Sequence, residues 1–329
     1  MSIDVHNHFY PPAYLDALRT GEYRAQLRDD EDSDDPTLAY SGDYNILVPG
    51  HRDLSARIED MDEVGMQSHI LTLTTPGVHI EKPERGVELA RIVNEDFAEI
   101  CRRHAGRFYA FCALPLQNPE AAAEELEYAV SNLGLHGAVL FTNINGKALD
   151  HPSFEPVFAA AEKLQAPLLI HPTSPDEQGI LGDYRLVPLL GFLFDTTATI
   201  GRMVFGGIFE RHPDLKLIAA HLGGTLPYVA ERMDRGYRVY PEIQDLIPHP
   251  PSHYLARLYY DTVNFEPGAL DYAAGWAGHD HLLVGSDYPH QIGDMRRALD
   301  AVKSMDLTQK QKEAVLRGNA QKILVNMGE

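Results

Sequence analysis

Eight short apolar runs are spaced along the 329-residue chain, and this spacing limits the fold more than any other feature. They are Ile3–Phe9, His69–Thr75, Phe108–Pro115, His136–Phe141, Pro167–Pro172, Leu215–Leu222, Leu258–Val263 and His281–Ser286. Segments such as Leu168-Leu169-Ile170 and Leu217-Ile218-Ala219-Ala220 are continuously apolar rather than alternating. Strands buried on both faces of a parallel sheet have this pattern. Between the runs, apolar residues recur at helical spacing, as with Leu54, Ile58, Met61 and Val64 in 54–65 and Val87, Ile92, Phe97 and Ile100 in 86–104. Further helices are predicted over 119–133, 153–164, 197–210, 224–236, 266–276, 291–304 and 308–326, the last opened by Thr308 and Gln311 as a capping box. Strands alternating with helices eight times over predict an α/β fold of the (β/α)8 TIM-barrel type, with extra helices at the C-terminal end. An open doubly wound sheet shares the alternation, but the G-x-G-x-x-G turn that usually marks it is absent. The length suits one barrel with insertions, and no repeat or low-complexity linker divides the chain, so 1–329 is read as a single domain.

Two kinds of segment interrupt the alternation. Residues 10–53 make a long first strand-to-helix connection whose run from Arg28 to Pro36 is too acidic for a core. A solvated loop is the simpler expectation, and a contribution to a lid over the site is the sharper one. Residues 173–196 and 239–257 are expected to be long loops. The formal charge of -20 repels phosphate backbones and anionic membrane surfaces, so neither nucleic acid nor membrane is an expected partner. Two cysteines, no apolar run long enough for a membrane span and no signal-peptide pattern at the N-terminus lead to the expectation of a cytoplasmic protein.

The chain holds 16 histidines, and position separates them. His6 and His8 end the first strand, where residues i and i+2 point to the same side. His171 closes the fifth run, His221 the sixth, and Asp287 follows the eighth. Barrel strands deliver their last residues into the mouth at the carboxyl face. Five ligand-type residues at four strand ends therefore predict a metal site. His69, His136 and His281 begin strands and are read as structural, at the other end of the barrel. His51, His249 and His253 are read as loop residues, and Asp195-Thr196-Thr197 as a helix N-terminus with a capping aspartate.

With these residues placed, the chain resembles the amidohydrolase superfamily, in the branch of aminocarboxymuconate semialdehyde decarboxylase and related aromatic-acid decarboxylases. The resemblance rests on IDVHNHFYPP, ARIEDMDEVG, the IHP of the fifth strand, GGIFERHPDLKLIAAHLGG and GSDYPH, and it covers nearly the whole chain. It implies that His6, His8, His171 and Asp287 hold one divalent metal, Zn²⁺ first and Mn²⁺ as competitor. It also implies that His221 is the catalytic acid/base, with Asp287 able to relay a proton. The fourth strand ends in Phe141-Thr142 without a lysine, against a binuclear site bridged by a carboxylated lysine. The expected activity is non-oxidative decarboxylation of a small aromatic or dienoic carboxylic acid. The same parts would serve a hydrolase or hydratase of a lactone, amide or ring-cleavage acid, and a non-catalytic metal-binding protein is the remote alternative.

An acidic substrate needs local cations. Arg232 in PYVAERMDRGY matches a carboxylate-binding arginine of the resembled decarboxylases that acts across a homodimer interface, so a homodimer is expected. The simpler reading of Arg232 is a helix-surface residue paired with Glu231 or Asp234. A second family arginine falls near Val48 and is missing, with Arg52 close by. Arg185, where the family has a tryptophan, is a candidate replacement. His290 at the rim and Tyr184 are further candidate substrate contacts, with Tyr10 and Phe192 as possible pocket walls.

Overall fold

The computed structural model describes residues 2–30, 33–40, 43–174 and 179–327. In chain order the strands are β1 (Ile3–His8), β2 (Gln26–Asp30), β3 (Ser33–Tyr40), β4 (Asp43–Ile46), β5 (Ser68–Thr72), β6 (Phe108–Ala110), β7 (Ala138–Phe141), β8 (Asn143–Ile144), β9 (Lys147–Ala148), β10 (Leu168–His171), β11 (Leu217–Ala219), β12 (Tyr259–Asp261) and β13 (Leu282–Leu283). Each of the eight apolar runs coincides with one barrel strand, shorter than the run itself, although β5 starts at Ser68, one residue before its run. Parallel pairing links β1, β5 and β6, and separately β7, β10, β11, β12 and β13. Parallel bridges Cys112↔Ala138 and Asn7↔Tyr288 join the two groups into one closed barrel. The second seam is reinforced where Val5 N donates to Val284 O and the Ser286 and Asp287 amides donate to His6 O.

Local chemistry explains most helix boundaries. Asp53 caps the helix Leu54–Val64, which stops at Gly65 in the left-handed region. Asn118 caps Pro119–Ser131, and Asp294 caps Met295–Ser304. The Thr308–Gln311 capping box forms as expected. Asp195 does not cap. It lies inside the helix Phe192–Phe205, which continues a π-helical turn over Val187–Gly191, and its carboxylate accepts the Thr142 hydroxyl at the end of β7. The helix begins earlier than the sequence suggests because Pro188 sits in its first turn, where no amide donor is needed.

The first connection is structured rather than a solvated loop. The helix Pro12–Thr20 is followed by an antiparallel sheet in which β3 pairs with both β2 and β4. Much of the acidic run forms its strands, while Glu31 and Asp32 lie outside the described residues. Charges facing solvent mask the alternation that would have announced these strands, and Leu38 is the buried residue of β3 beside Pro36. The sheet is tied to the carboxyl face of the barrel. Tyr40 Oη donates to Thr75 Oγ1 at 3.2 Å, Asn45 Nδ2 to Tyr10 Oη at 2.7 Å, and Ser174 Oγ to Asp43 Oδ2 at 2.8 Å. It therefore lies over the mouth, as the lid reading expects. Among the described residues no helix is long and apolar enough to cross a membrane.

Candidate metal centre

His6, His8, His171, His221 and Asp287 converge at the carboxyl face, all buried. The rings of His6 and His8 are 5.0 Å apart, those of His6 and His171 5.1 Å, and those of His8 and His171 4.8 Å. Asp287 Oδ1 lies 3.0 Å from His8 Nε2 and 3.4 Å from His6 Nε2.

The hydrogen bonds on the far side of each ring fix its tautomer. His6 Nδ1 donates to Asp261 Oδ2 at 2.5 Å. His171 Nδ1 donates to Pro172 O at 2.7 Å. The Thr72 hydroxyl gives its one proton to Asn7 O at 2.6 Å, so its contact with His8 Nδ1 at 3.1 Å is made by the ring N–H. Each neutral ring thus turns a bare Nε2 toward Asp287. His6 Nε2 and His171 Nε2 are buried with no protein partner, and the His8 nitrogen faces a carboxylate oxygen, acceptor against acceptor. Three nitrogen lone pairs and a carboxylate gathered in a buried site are all acceptors, a donor set that a divalent metal would fit. Burial pushes His8 and His171 well below the usual histidine range, keeping them neutral as ligation requires. Burial acts the same way on His6, but the Asp261 carboxylate outweighs it and raises this imidazole, making it the most basic nitrogen of the set.

His221 differs from the other three. Its Nδ1 is buried without a partner, and its Nε2 lies 3.8 Å from Asp287 Oδ2. Ligand atoms of His6, His171, His221 and Asp287 do lie within 4.8 Å of one another, so distance alone would admit His221 as a ligand. The missing anchor argues for a different task, because metal-bound histidines almost always donate their other ring N–H. A second grouping, His8, Asp287 and His290, shares only Asp287 with the first, and His8 reaches that common carboxylate at 3.0 Å.

The backbone around these residues is constrained. His221, Leu222, Gly223 and Gly224 all have positive φ, from 54° to 73°, as does Asp287 at 57°. A side chain on Gly224 would meet Leu193 O at 2.2 Å, which accounts for glycine in the HLGG segment. Left-handed backbone at bulky residues is uncommon, and His221 and Asp287, at two of the strand ends that aim into the mouth, are among the residues that adopt it.

Three contributors escape the sequence reading. Asp261, at the end of β12, accepts His6 Nδ1 and also the amides of His221 and Leu222. It occupies the same strand-end position that singles out His171, so the signal was present. The His6 contact offsets the effect of burial and keeps the Asp261 carboxyl below the usual range, hence ionised. Arg57, fully buried, donates to Asn7 Oδ1, Gly50 O, His69 Nδ1 and His8 O. His51 is not a loop residue in solvent: it is 3 % exposed and its Nε2 lies 3.4 Å from His290 Nδ1. Replacing Asp261 by Asn is expected to lower metal affinity about 10–100-fold, because the amide can donate to His6 and select the wrong tautomer. Competition with a chelator measures this, and unchanged affinity would remove Asp261 from the support of the site.

The candidate substrate contacts are distributed differently. The His290 ring lies 4.6 Å from that of His8, tilted by 42°. Arg185 is exposed and donates to Tyr44 Oη of the lid sheet at 3.1 Å, and Tyr184 is 87 % exposed. Neither has a hydrogen bond or ion pair to the cluster among the described residues. Tyr10 is buried and donates to Thr75 O, a packing role, and Arg52 is held by Asp35 and Leu47 O. Arg232 is exposed on the helix Leu226–Val239 without an ion pair among the described residues. Glu231 pairs instead with Arg238, and Asp234 accepts from Ser252. Phe141 packs in the core against His79, and no lysine stands beside it.

The chain is similar to known proteins. The family model described as amidohydrolase matches residues 3–324. A 2-amino-3-carboxymuconate-6-semialdehyde decarboxylase of Dictyostelium discoideum is 31% identical over 277 residues, 83% of this chain and 76% of that protein. A gamma-resorcylate decarboxylase of Rhizobium sp. (strain MTP-10005) is 30% identical over 292 residues, 81% of this chain and 85% of that protein. A solved dihydroxybenzoic acid decarboxylase from Polaromonas sp. JS666, with bound manganese and the inhibitor 2-nitroresorcinol, superimposes with a TM-score of 0.80 at 26% identity, covering 98% of this chain and 96% of that one. By fold, by its match over nearly the full length and by the residues at its strand ends, the chain belongs to the amidohydrolase family.

Proposed function

We propose that the protein is a metal-dependent, non-oxidative carboxy-lyase that removes CO₂ from a small aromatic or dienoic carboxylic acid. The observation that carries this reading is the pairing of three anchored imidazoles with one unanchored imidazole, His221, around a single carboxylate. His6, His8, His171 and Asp287 would hold one divalent metal. The donor set of three nitrogens and one oxygen suits Zn²⁺, and Mn²⁺ is the competitor. When bound, such an ion supplies Lewis acidity toward substrate oxygens. Relatives and solved neighbours named as decarboxylases support the reaction class.

The chain's own residues then have defined work. The lid sheet and the barrel wall exclude water from the reacting carbon. Loss of CO₂ breaks a carbon–carbon bond and leaves its electron pair on the substrate carbon, which must take up a proton. His221, whose Nδ1 has no protein partner and whose Nε2 lies 3.8 Å from Asp287 Oδ2, delivers that proton, and Asp287 beside it accepts or returns one. His290 touches the substrate at the rim. Reaction in D₂O is expected to place one deuterium at the carbon that carried the carboxylate. Carboxylated phenols and ring-cleavage acids, screened for CO₂ release, test the class. Oxygen from ¹⁸O-water in a product formed without CO₂ would show a hydrolase or hydratase instead.

Arg232 extends the reading to a homodimer. It is exposed on its helix, with no ion pair among the described residues, and its match to an arginine that acts across the dimer interface in the resembled decarboxylases supports a place at a partner subunit's mouth. Replacement of Arg232 by Ala is expected to raise KM about 10–100-fold, the worth of one charge-assisted hydrogen bond. Steady-state kinetics on any substrate found in the screen measures it, and unchanged KM would remove Arg232 from the site.

A further inference from the structure

His51 and His290 come from opposite ends of the chain and meet at the mouth, with 3.4 Å between His51 Nε2 and His290 Nδ1. His51 is held from behind. Its amide donates to Val48 O and its carbonyl accepts from Tyr10 N at 2.8 Å, and its ring lies 5.8 Å from that of Tyr10. His290 is partly exposed, on the tight turn after Asp287, and its Nε2 lies 3.4 Å from Thr74 Oγ1. A nitrogen-to-nitrogen hydrogen bond needs one donor and one bare acceptor, so the pair shares a single proton.

The direction of that bond follows from what is left over. His51 Nδ1 is buried and has no protein partner. If His290 were the donor, His51 Nδ1 would carry a buried N–H with nothing to receive it. If His51 Nε2–H is the donor, Nδ1 is only an unused acceptor. Orphaned buried donors are rarer in folded proteins than under-used acceptors. We propose that His51 is a positioning residue: it donates Nε2–H to His290 Nδ1 and so fixes His290 with its own Nε2–H turned to the mouth, ready to donate to a substrate oxygen. The Thr74 hydroxyl then marks where such an oxygen would sit, as an acceptor at the edge of hydrogen-bond range. This rests on the reading of His290 as a rim contact, and it assigns a task to a residue that touches no substrate itself.

The test uses full-length, zinc-loaded protein labelled with ¹⁵N-histidine. Ring ¹⁵N–¹H correlations report tautomers, and the His290 signals are those lost in His290→Gln. Wild type is expected to show His290 protonated at Nε2 alone. His51→Phe, which keeps the packing and removes the donor, is expected to give His290 shifts averaged between tautomers. His51→Gln, whose amide reaches the Nε2 position, is expected to restore the wild-type pattern. An Nδ1–H tautomer in wild type, or an unchanged one in His51→Phe, overturns the proposal. Calorimetric titration with 2-nitroresorcinol supplies the functional arm. His51→Phe and His290→Gln are each expected to weaken binding about tenfold, and the double variant no further. An equal loss from His51→Phe in the His290→Gln background would show a merely structural role for His51 and overturn the proposal. Unchanged affinity in His290→Gln would instead reject His290 as a rim contact, and no binding by wild type would count against the decarboxylase reading. The ring signals decide the tautomer in either case.

Discussion

Alanine at position 221 is expected to leave the metal bound and to abolish most turnover. The three anchored imidazoles and Asp287 are complete without His221, and its ring makes no far-side hydrogen bond that organises the site. Removal of a positioned acid/base typically costs about 10²–10⁴ in rate. Metal content by mass spectrometry and kcat from CO₂ release, measured on the same sample, check both halves. Loss of metal together with activity would place His221 among the ligands and shift His8 or Asp287 to another role. The positive φ of His221 makes a further point. Alanine there has the same backbone difficulty as histidine, so the substitution reports on the ring rather than on relieved strain.

The largest stability effect is expected at Arg57. This guanidinium is fully buried and meets no carboxylate directly, although burial lowers its pKa only to about 10, so it stays charged. Its donors serve Asn7 Oδ1 at 2.8 Å, His69 Nδ1 at 2.9 Å, Gly50 O at 2.8 Å and His8 O, while Phe9 and Tyr288 lie against its faces at 5.1 and 4.8 Å. Arg57→Ala leaves several acceptors unsatisfied in a dry interior, at ~1–3 kcal/mol each, and opens a cavity. A loss of about 4 kcal/mol or more follows, roughly 8 °C or more in Tm. Lysine is not expected to rescue, since one compact ammonium cannot replace a planar fork that serves four groups. Because Arg57 grips Asn7, between His6 and His8, and the carbonyl of His8 itself, metal affinity should fall as well. Thermal denaturation of Arg57→Ala and Arg57→Lys, with and without added metal, checks this, and a wild-type Tm for the lysine variant would remove the argument.

The barrel and the cluster of residues at its mouth were legible in the sequence because both depend on simple positional rules. Strands buried on both faces are continuously apolar, and residues at their carboxyl ends face the mouth, so His6, His8, His171, His221 and Asp287 could be placed together from spacing and termini alone. What supports those residues was less legible. Arg57 lies in a helix whose apolar face predicts packing, and nothing in the pattern says that a guanidinium turns inward among carbonyls. Asp261 stood at a telling position but among tyrosines, with no neighbouring motif to draw notice. The lid sheet escaped because its strands carry charges on an exposed surface, where alternation is weak. His51 and His290 are 239 residues apart in sequence, and only the closed barrel makes them neighbours.

The seam between β1 and β13 has a consequence for biosynthesis. His8 and Asp287 are 279 residues apart, and the amides of Ser286 and Asp287 bond to His6 O across that seam. A nascent chain emerges from the ribosome with β1 first, yet β1 gains its second neighbour only when the last strand arrives. Until then one side of a fully buried strand has open hydrogen-bonding groups, a template for pairing with other chains. On the proposed ligand set, an ion captured early by His6 and His8 would have only half of its ligands, so tight binding would wait for His171 and Asp287. A metal on the proposed ligands would thereby join an early-made and a late-made strand of the barrel, and its retention would report that the barrel has closed.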